Sequence, residues 1–550
     1  MPNVESVAAG RTMSTIAQRG VLLALPAAVG TALFVSRRTL RLQLGPDQGV
    51  FVGMVRSLRD SGSLASVTDA FWIRLSPAET VDRLGRIPVA DFGPVYAVTV
   101  AVTPAPLAVA FVVVHALAVF VALASVSYLT WRATQSFVMA AVAASVAVWG
   151  PFTADLIFGD LARPLDILGT IGSDGLAAAT FLAGLAVLAT IAPASAPRAD
   201  ARPERWWCRS VLAAGLLATA VLTRYAMAGA VIGLLATLGA ARLRTGDRRW
   251  VWPATALGLA TAWVVVVAPV LAGTGGPKTL AAHPIDVAPL GTVVAGWFGL
   301  SLDASAAVVA LVAFVVVLVG VAALARAGGI VALAAAAGLF QLAAVGGSRA
   351  FLDISLNLRE ERHLLLVRFL IAVVLVAGVA HGARAAAAAL VSTERVRRVG
   401  VAAAGAAIAV LSAWLADGGP GPAPEVAGPP PLLAASSWLA ARGELPVVTN
   451  VPDIWYVRTG RPAVDVPRRL EWTTLAPRDV AEEISDLASV APRVVVAHRP
   501  GVFEGVDLRM WPCSRVEEIL IGPDLDGFEL AVVDLRACAA LGADEAPEES

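Results

Sequence analysis

Apolar run follows apolar run along this sequence, each close to the length that crosses a lipid bilayer. A helix rises 1.5 Å per residue, so about 20 apolar residues cover the roughly 30 Å of hydrocarbon. Water is absent there, so each backbone N–H and C=O must bond inside its own helix. Such runs fall at 20–36, 105–130, 134–152, 173–193, 208–223, 225–241, 251–271, 304–325, 329–346, 364–383 and 399–416. The predicted fold class is a polytopic α-helical membrane protein with about eleven spans. Composition agrees: of 550 residues 57% are hydrophobic and 15% charged, where soluble chains carry about 25% charged residues. Lipid absorbs the difference.

The run Ser210–Ala240 is too long for one span, and Thr223-Arg224-Tyr225 interrupts it. An arginine at mid-membrane is costly, so two spans meeting at Arg224 near a membrane face is the cheaper arrangement. The first run, Val21–Val35, follows Arg11 and Arg19 but lacks a small-residue cleavage site before Arg37 and Arg38. It reads as an uncleaved first span. Arginines cluster in three loops, at Arg198–Arg209, Arg242–Arg249 and Arg384–Arg398. With an odd number of spans all three share a side with the N-terminus, which the positive-inside rule makes cytoplasmic. Arg37, Arg38 and Arg41 dissent and are outvoted. The long loop 37–93 and everything after the last span are then expected outside the cytoplasm.

Residues 1–416 form the membrane module, and DGGPGPAPEVAGPPP, 417–431, is a Pro/Gly linker. Composition changes after it. Short β-rich runs, Val447–Thr449, Arg493–Ala497, Val516–Ile521 and Phe528–Val533, alternate with a helical stretch, Pro477–Ala488. This predicts a small extracytoplasmic α/β domain over 432–550. Pairing Ile521 with Phe528 in a hairpin sets Cys513 opposite Arg536, two residues from Cys538. A Cys513–Cys538 disulfide is therefore expected, in a compartment that permits it, with Cys208 reduced near the cytoplasmic face.

The net charge is zero and no basic tract points to nucleic acid. No CxxC, HExxH or GxxxxGK[ST] is present, and the five histidines are scattered; no cofactor is indicated, and no metal, although a divalent ion is compatible with so many outer carboxylates. Asp47, Asp60, Asp69, Glu79, Asp82 and Asp91 lie in the first outer loop, Asp155, Asp160, Asp166 and Asp174 in the next, and Asp353 and Arg359–His363 in a later one. Carboxylates facing arginines at a membrane surface suit deprotonation of an acceptor hydroxyl and support of an anionic leaving group. Solvated loop charge is the plainer reading of any one of them.

Several segments carry a resemblance in the same order along the chain. GPDQGVFVGMVRSLRDSG (Gly45–Gly62) and FGPVYAVTVA (Phe92–Ala101) resemble the first outer loop of the GT-C glycosyltransferases, in which an acid follows span one and precedes an amphipathic helix. IGSDGLAAATFLAGLAVLAT (Ile171–Thr190) is similar to the acidic start of the family's span four. LTRYAMAGAVIGLLATL (Leu222–Leu238) and ERHLLLVRFLIAVVLVAG (Glu361–Gly378) resemble its Leu-Thr-Arg-Tyr break and a late span. NVPDIWYVRTGRPAVDVPR (Asn450–Arg468) is similar to the outer domain of bacterial members, those like the dolichyl-phosphate-mannose–protein mannosyltransferases.

The resemblance implies inverting transfer of one sugar from a polyprenyl-phosphate donor to a glycan, lipid or protein acceptor at the outer face of the cytoplasmic membrane. It implies Asp47 as the general base and Asp174 as a second acid near the site. Arg224 and Arg362 would face the donor phosphate, and Tyr225, His363, Tyr96 and Asp91 would help bind substrate. Two positions depart from the pattern: Gln48 follows Asp47 where many members have a second acid, and Asp91-Phe92-Gly93 stands where some have a basic residue. The resemblance therefore carries neither a phosphate contact from that loop nor a metal site. Structural roles remain open beside these: Asp174 as a helix cap, Arg224 as an interfacial anchor, Arg362 and His363 as snorkelling residues, His115 as a packed bundle histidine. A glycolipid transporter or flippase and a non-catalytic scaffold are the alternatives, and the lack of an internal repeat weighs against transport. The segment Val50–Leu58 has helical apolar spacing, which predicts a helix lying on the membrane and holding Asp47 at fixed depth.

Overall fold

The computed structural model describes residues 20–35, 46–62, 65–66, 87–88, 94–149, 172–191, 203–224, 227–245, 253, 255–258, 329–352, 365–390, 433–443, 445–461, 463–466, 479–500, 511, 513–522, 525 and 527–539. Its contacts divide the chain into two units. One comprises Met1–Arg41, Phe111–Ala268 and Ala282–Glu425, the other Leu42–Ala110, Pro269–Ala281 and Val426–Ser550.

The first unit is helical. Its described helices are α1 (Gly20–Val35), the greater part of α4 (Leu107–Thr134), α5 (Phe137–Trp149), α6 (Asp174–Ile191), α7 (Pro203–Thr223), α8 (Ala228–Thr245), α9 (Gly329–Leu352) and α10 (Leu365–Leu390). Each overlaps one of the predicted spans; of the span at 251–271 only residues 253 and 255–258 are described, and the spans at 304–325 and 399–416 lie outside the described residues. Within α4, α6 and α10, the stretches Val109–Thr134, Asp174–Ile191 and Leu365–Arg384 are long and apolar enough to cross a membrane. Small residues set how closely the helices pack. A Cβ added at Gly184 of α6 would stand 2.8 Å from Leu217 Cγ of α7. One added at Gly233 of α8 would stand 2.7 Å from Phe340 Cβ and 2.8 Å from the Ala336 carbonyl of α9.

Polar side chains close the ends of these helices. Arg132 of α4 donates to the Ala189 carbonyl of α6 at 3.1 Å, and Arg384 of α10 donates to the Thr134 carbonyl. Both satisfy carbonyls in last turns, which lack helical partners. Between α4 and α5 the chain reverses through Gln135 (φ 55°). Ser136 then accepts the Met139 N–H as the cap of α5, and Trp131 and Phe137 stack at 5.9 Å. Arg132 and Arg384 thus belong to one end of the bundle.

The second unit contains the segment that follows α1 and a mixed sheet. In that segment are α2 (Pro46–Ser61), the antiparallel pair β1 (Ala65–Ser66) and β2 (Ile87–Pro88), and α3 (Pro94–Val102). Further elements are α11 (Leu433–Ala440), β3 (Val447–Thr449), α12 (Pro452–Thr459), β4 (Val464–Asp465), α13 (Val480–Val490), β5 (Arg493–His498), β6 (Arg515–Ile521) and β7 (Glu529–Asp534). The strand order is β4-β3-β5-β7-β6; β3 pairs parallel with β4 and β5, and β7 antiparallel with β5 and β6.

The central strands read as unbroken apolar runs because both sheet faces are covered. Val495, Ala497, Leu530 and Val532 face a core with Ile454 and Trp455 of α12. Val494, Val496, Ala531 and Val533 face another with Ile484, Leu487 and Ala488 of α13. Asp479 caps α13 by accepting the Ala481 and Glu482 N–H groups, and Gly460 (φ 72°) ends α12 in the left-handed conformation that favours glycine.

Two expectations need correction. The hairpin register is Ile521↔Glu529, one residue from the predicted Ile521–Phe528 pairing, because Phe528 turns into the core and packs edge-on against Trp455 at 5.4 Å. A bulge between Val516 and Glu518 then returns the register, giving Arg515↔Asp534. Continued two residues further, that register again sets Cys513 opposite Arg536. Cys513 and Cys538 are disulfide-bonded, with Cα atoms 5.0 Å apart.

The second correction concerns α2. Phe51, Val52, Met54 and Val55 are at most 3% exposed, and what covers them is protein. Phe51 meets Tyr96 of α3 edge-on at 4.9 Å, and α12 packs along the same helix. The apolar face expected to lie on the membrane is covered by neighbouring elements, which remove its carbon surface from water as lipid would.

Candidate active site

The break between α7 and α8 is where the helical unit gathers charge. α7 ends as the Arg224 N–H bonds the Ala220 carbonyl at 2.9 Å, and a short turn follows, with the Met227 N–H on the Arg224 carbonyl. α8 then starts, and its first N–H groups have no helical partner. Gln341 of α9, fully buried, accepts the Ala230 N–H at 3.1 Å. The interruption read at Thr223-Arg224-Tyr225 is thus a real helix break, held open by a side chain from another helix.

Asp174 is the first residue of α6 and is 4% exposed. The preceding Ser173 accepts the Ala177 N–H through its carbonyl, so Asp174 stands in the first turn, where the helix dipole favours negative charge. Its Oδ1 lies 3.2 Å from Arg224 Nε, with side-chain exposures of 6% and 15%. Asp174 therefore both begins a helix and pairs with the arginine of the break. Nearly dehydrated charges attract far more strongly than exposed ones. A guanidinium has five N–H donors in a planar fork, so a carboxylate at Nε fixes the plane in which the fork lies.

Helix α6 rises 1.5 Å per residue, so Asp174 and Ala189 stand roughly 22 Å apart along its axis. The Asp174–Arg224 pair belongs to the end of the bundle opposite Arg132 and Arg384, as the alternation of spans requires. Arg368, to which the sequence reading assigned no role, is 1% exposed on α10. It lies sixteen residues before Arg384, toward the end that holds the pair. An arginine a few residues inside an apolar span was the available signal for it. His115 is buried at 2% exposure, as a packed bundle histidine would be.

In the second unit, Asp47 lies in the first turn of α2, and Tyr96 is fully buried on α3. The structure joins the segments carrying these two, through Phe51 against Tyr96 and through Arg59. The Arg59 guanidinium donates to the carbonyls of Val100 (3.1 Å), Ala101 (3.2 Å) and Thr103 (3.0 Å) at the end of α3. Tyr225, Asp91, Arg362 and His363 lie outside the described residues. Among the described residues no group of three His, Cys, Asp or Glu side chains could hold a metal ion.

Apolar helices broken and capped in this way define a polytopic helical membrane protein. No family model matches the chain, and no curated protein matches it in sequence. In three dimensions it is similar to ArnT from Cupriavidus metallidurans in the apo state, with a TM-score of 0.51 and 15% identity over 94% of this chain and 98% of that one. The same protein bound to undecaprenyl phosphate aligns with a TM-score of 0.52 and 13% identity, over 92% and 97%. An oligosaccharyltransferase from Archaeoglobus fulgidus, tethered with an acceptor peptide, aligns at 0.49 and 13% identity over 87% and 69%, too distant to argue from. The chain has the fold of ArnT over nearly its whole length. At such identity the likeness establishes the fold, and the chemistry rests on the residues.

Proposed function

We propose that the chain is an inverting membrane glycosyltransferase that moves a hexose or pentose from a polyprenyl phosphate to an acceptor on the outer face of the cytoplasmic membrane. The observation that carries this reading is the Arg224–Asp174 pair at a helix break of a GT-C fold, on the bundle end opposite the arginine-closed one. In the ArnT structure that fold holds undecaprenyl phosphate. The acceptor oxygen attacks the anomeric carbon as Asp47 takes the hydroxyl proton. The bond from that carbon to the phosphate oxygen breaks, and polyprenyl phosphate leaves with the electron pair. Attack opposite the leaving group inverts the anomeric configuration. Arg224, oriented by Asp174, meets the charge that grows on the phosphate, since guanidinium recognises such oxygens bidentately. Tyr225, Arg362, His363, Tyr96 and Asp91 complete the substrate-binding set in this reading.

Purified protein incubated with undecaprenyl phosphates carrying a hexose or a pentose, and with a membrane-lipid and glycan extract as acceptor, should release undecaprenyl phosphate. Donor that crosses vesicles intact, with none cleaved, would reject the enzyme and favour a glycolipid transporter.

A further inference from the structure

Helix α2 carries Asp47 at its start and is gripped from two sides. Phe51 and Arg59 fasten it to α3, through the Tyr96 ring and the last carbonyls of that helix. On the second side, Gly53 and Arg56 are three residues apart and therefore neighbours on one helix face. Both meet Tyr456 of α12. The site a Cβ would take at Gly53 is 4.0 Å from Tyr456 Cδ1 and Cε1, and the Arg56 guanidinium carbon is 5.7 Å from the ring centroid. A cation over an aromatic face is attracted by the ring quadrupole, and Gly53 lies beside the same ring.

Tyr456 is itself firmly held. Its neighbours Ile454 and Trp455 are at most 2% exposed in the core beneath the sheet, Trp455 abuts Phe528, and the Gly460 N–H bonds the Tyr456 carbonyl at 2.7 Å. We infer that Tyr456, with Arg56 and Gly53 opposite it, is a positioning residue through which the C-terminal sheet module sets where Asp47 stands. This rests on the reading of Asp47 as the general base. Asp47 is nine residues from Arg56 along a continuous helix, about 14 Å at 1.5 Å per residue, so a small tilt at the Tyr456 contact displaces the carboxylate by a large part of an ångström. Misplacement of about 1 Å costs up to about a hundredfold in rate.

The test compares Tyr456→Ala and Tyr456→Phe in the full chain in lipid nanodiscs. Amide hydrogen exchange over 50–58 reads the docking of α2, and transfer from the undecaprenyl-phosphate sugar that wild type uses reads the chemistry. Tyr456→Ala should speed exchange in α2 about tenfold or more and lower kcat about ten- to a hundredfold with donor KM within about twofold. Tyr456→Phe keeps the ring and should restore both. Unchanged exchange in Tyr456→Ala overturns the inference, because the contact then does not hold the helix. Faster exchange with an unchanged kcat overturns it too, as would a rise in KM alone. If the wild-type chain transfers no sugar at all, the glycosyltransferase reading fails first and takes this inference with it; the exchange data separate that failure from a failure of the contact.

Discussion

The Asp174–Arg224 pair allows a structural role and a ligand role to be told apart. Removing one member of a nearly buried ion pair strands the other, at a cost of about 3–5 kcal/mol, whereas an apolar replacement of both is often neutral. Asp174→Leu or Arg224→Met should therefore lower thermal stability sharply, and the double variant should recover most of it. If Arg224 also meets the donor phosphate, the recovered double variant and Arg224→Lys should both bind donor at least tenfold more weakly, by titration with undecaprenyl phosphate. Donor binding that returns together with stability would leave only the structural role. For Asp47, Asp47→Asn keeps the shape and removes the base, so donor binding should persist while turnover falls about 10²–10⁴-fold; near wild-type turnover would turn attention to Asp174 or Asp91. His498, beside Glu529 at 4.0 Å, gives a pH handle on the sheet. Burial pushes its pKa below 6.5, against a smaller opposing pull from Glu529. The unfolded chain then takes up the proton first, so this contribution is intact above pH 6.5 and is lost as pH falls through the lower folded value. His498→Gln should flatten the stability profile of the C-terminal module below pH 6.5, measured by chemical denaturation.

At the scale of elements, periodicity located helices well because lipid imposes a single solution on an apolar run. What it left open was how close neighbours come. Gly233→Ala must move Phe340 and the Ala336 carbonyl, which a new Cβ would approach within 3 Å. Overpacking of this kind costs about 1–3 kcal/mol, so this variant should melt earlier, whereas Gly215→Ala, with nothing within 4 Å of its Cβ, should not. Turns and short helices were the harder part. Helices α11 and α12 passed unread because eight residues hold too few turns to show a period. The hairpin register slipped by one because burial of Phe528 against Trp455 outweighed the simplest strand pairing. The bulge that restored it is invisible in the local pattern.

For the whole molecule, the arginine bias makes a prediction that the bundle's two ends sharpen. The loops rich in arginine share the end closed by Arg132 and Arg384, and the C-terminal module belongs outside the cytoplasm in this reading. An alkaline phosphatase fused after Ser550 should be active and a fluorescent protein fused there dark; the converse would reverse the orientation and remove Asp47 from the outer face. The sequence alone determined that the chain is a membrane bundle, where most helices run, that the run at Arg224 breaks, and that strands gather after the Pro/Gly-rich stretch. Each follows from local chemistry, since solvent decides the fate of an apolar run and turn residues decide its ends. Only the tertiary structure decided that Asp174 is the carboxylate that pairs with Arg224, that Gln341 serves the helix break, and that α2 is clasped by α12 through Tyr456. Those pairings join residues from about 50 to 400 positions apart. No local pattern records them, because they depend on which faces the packed helices happen to share.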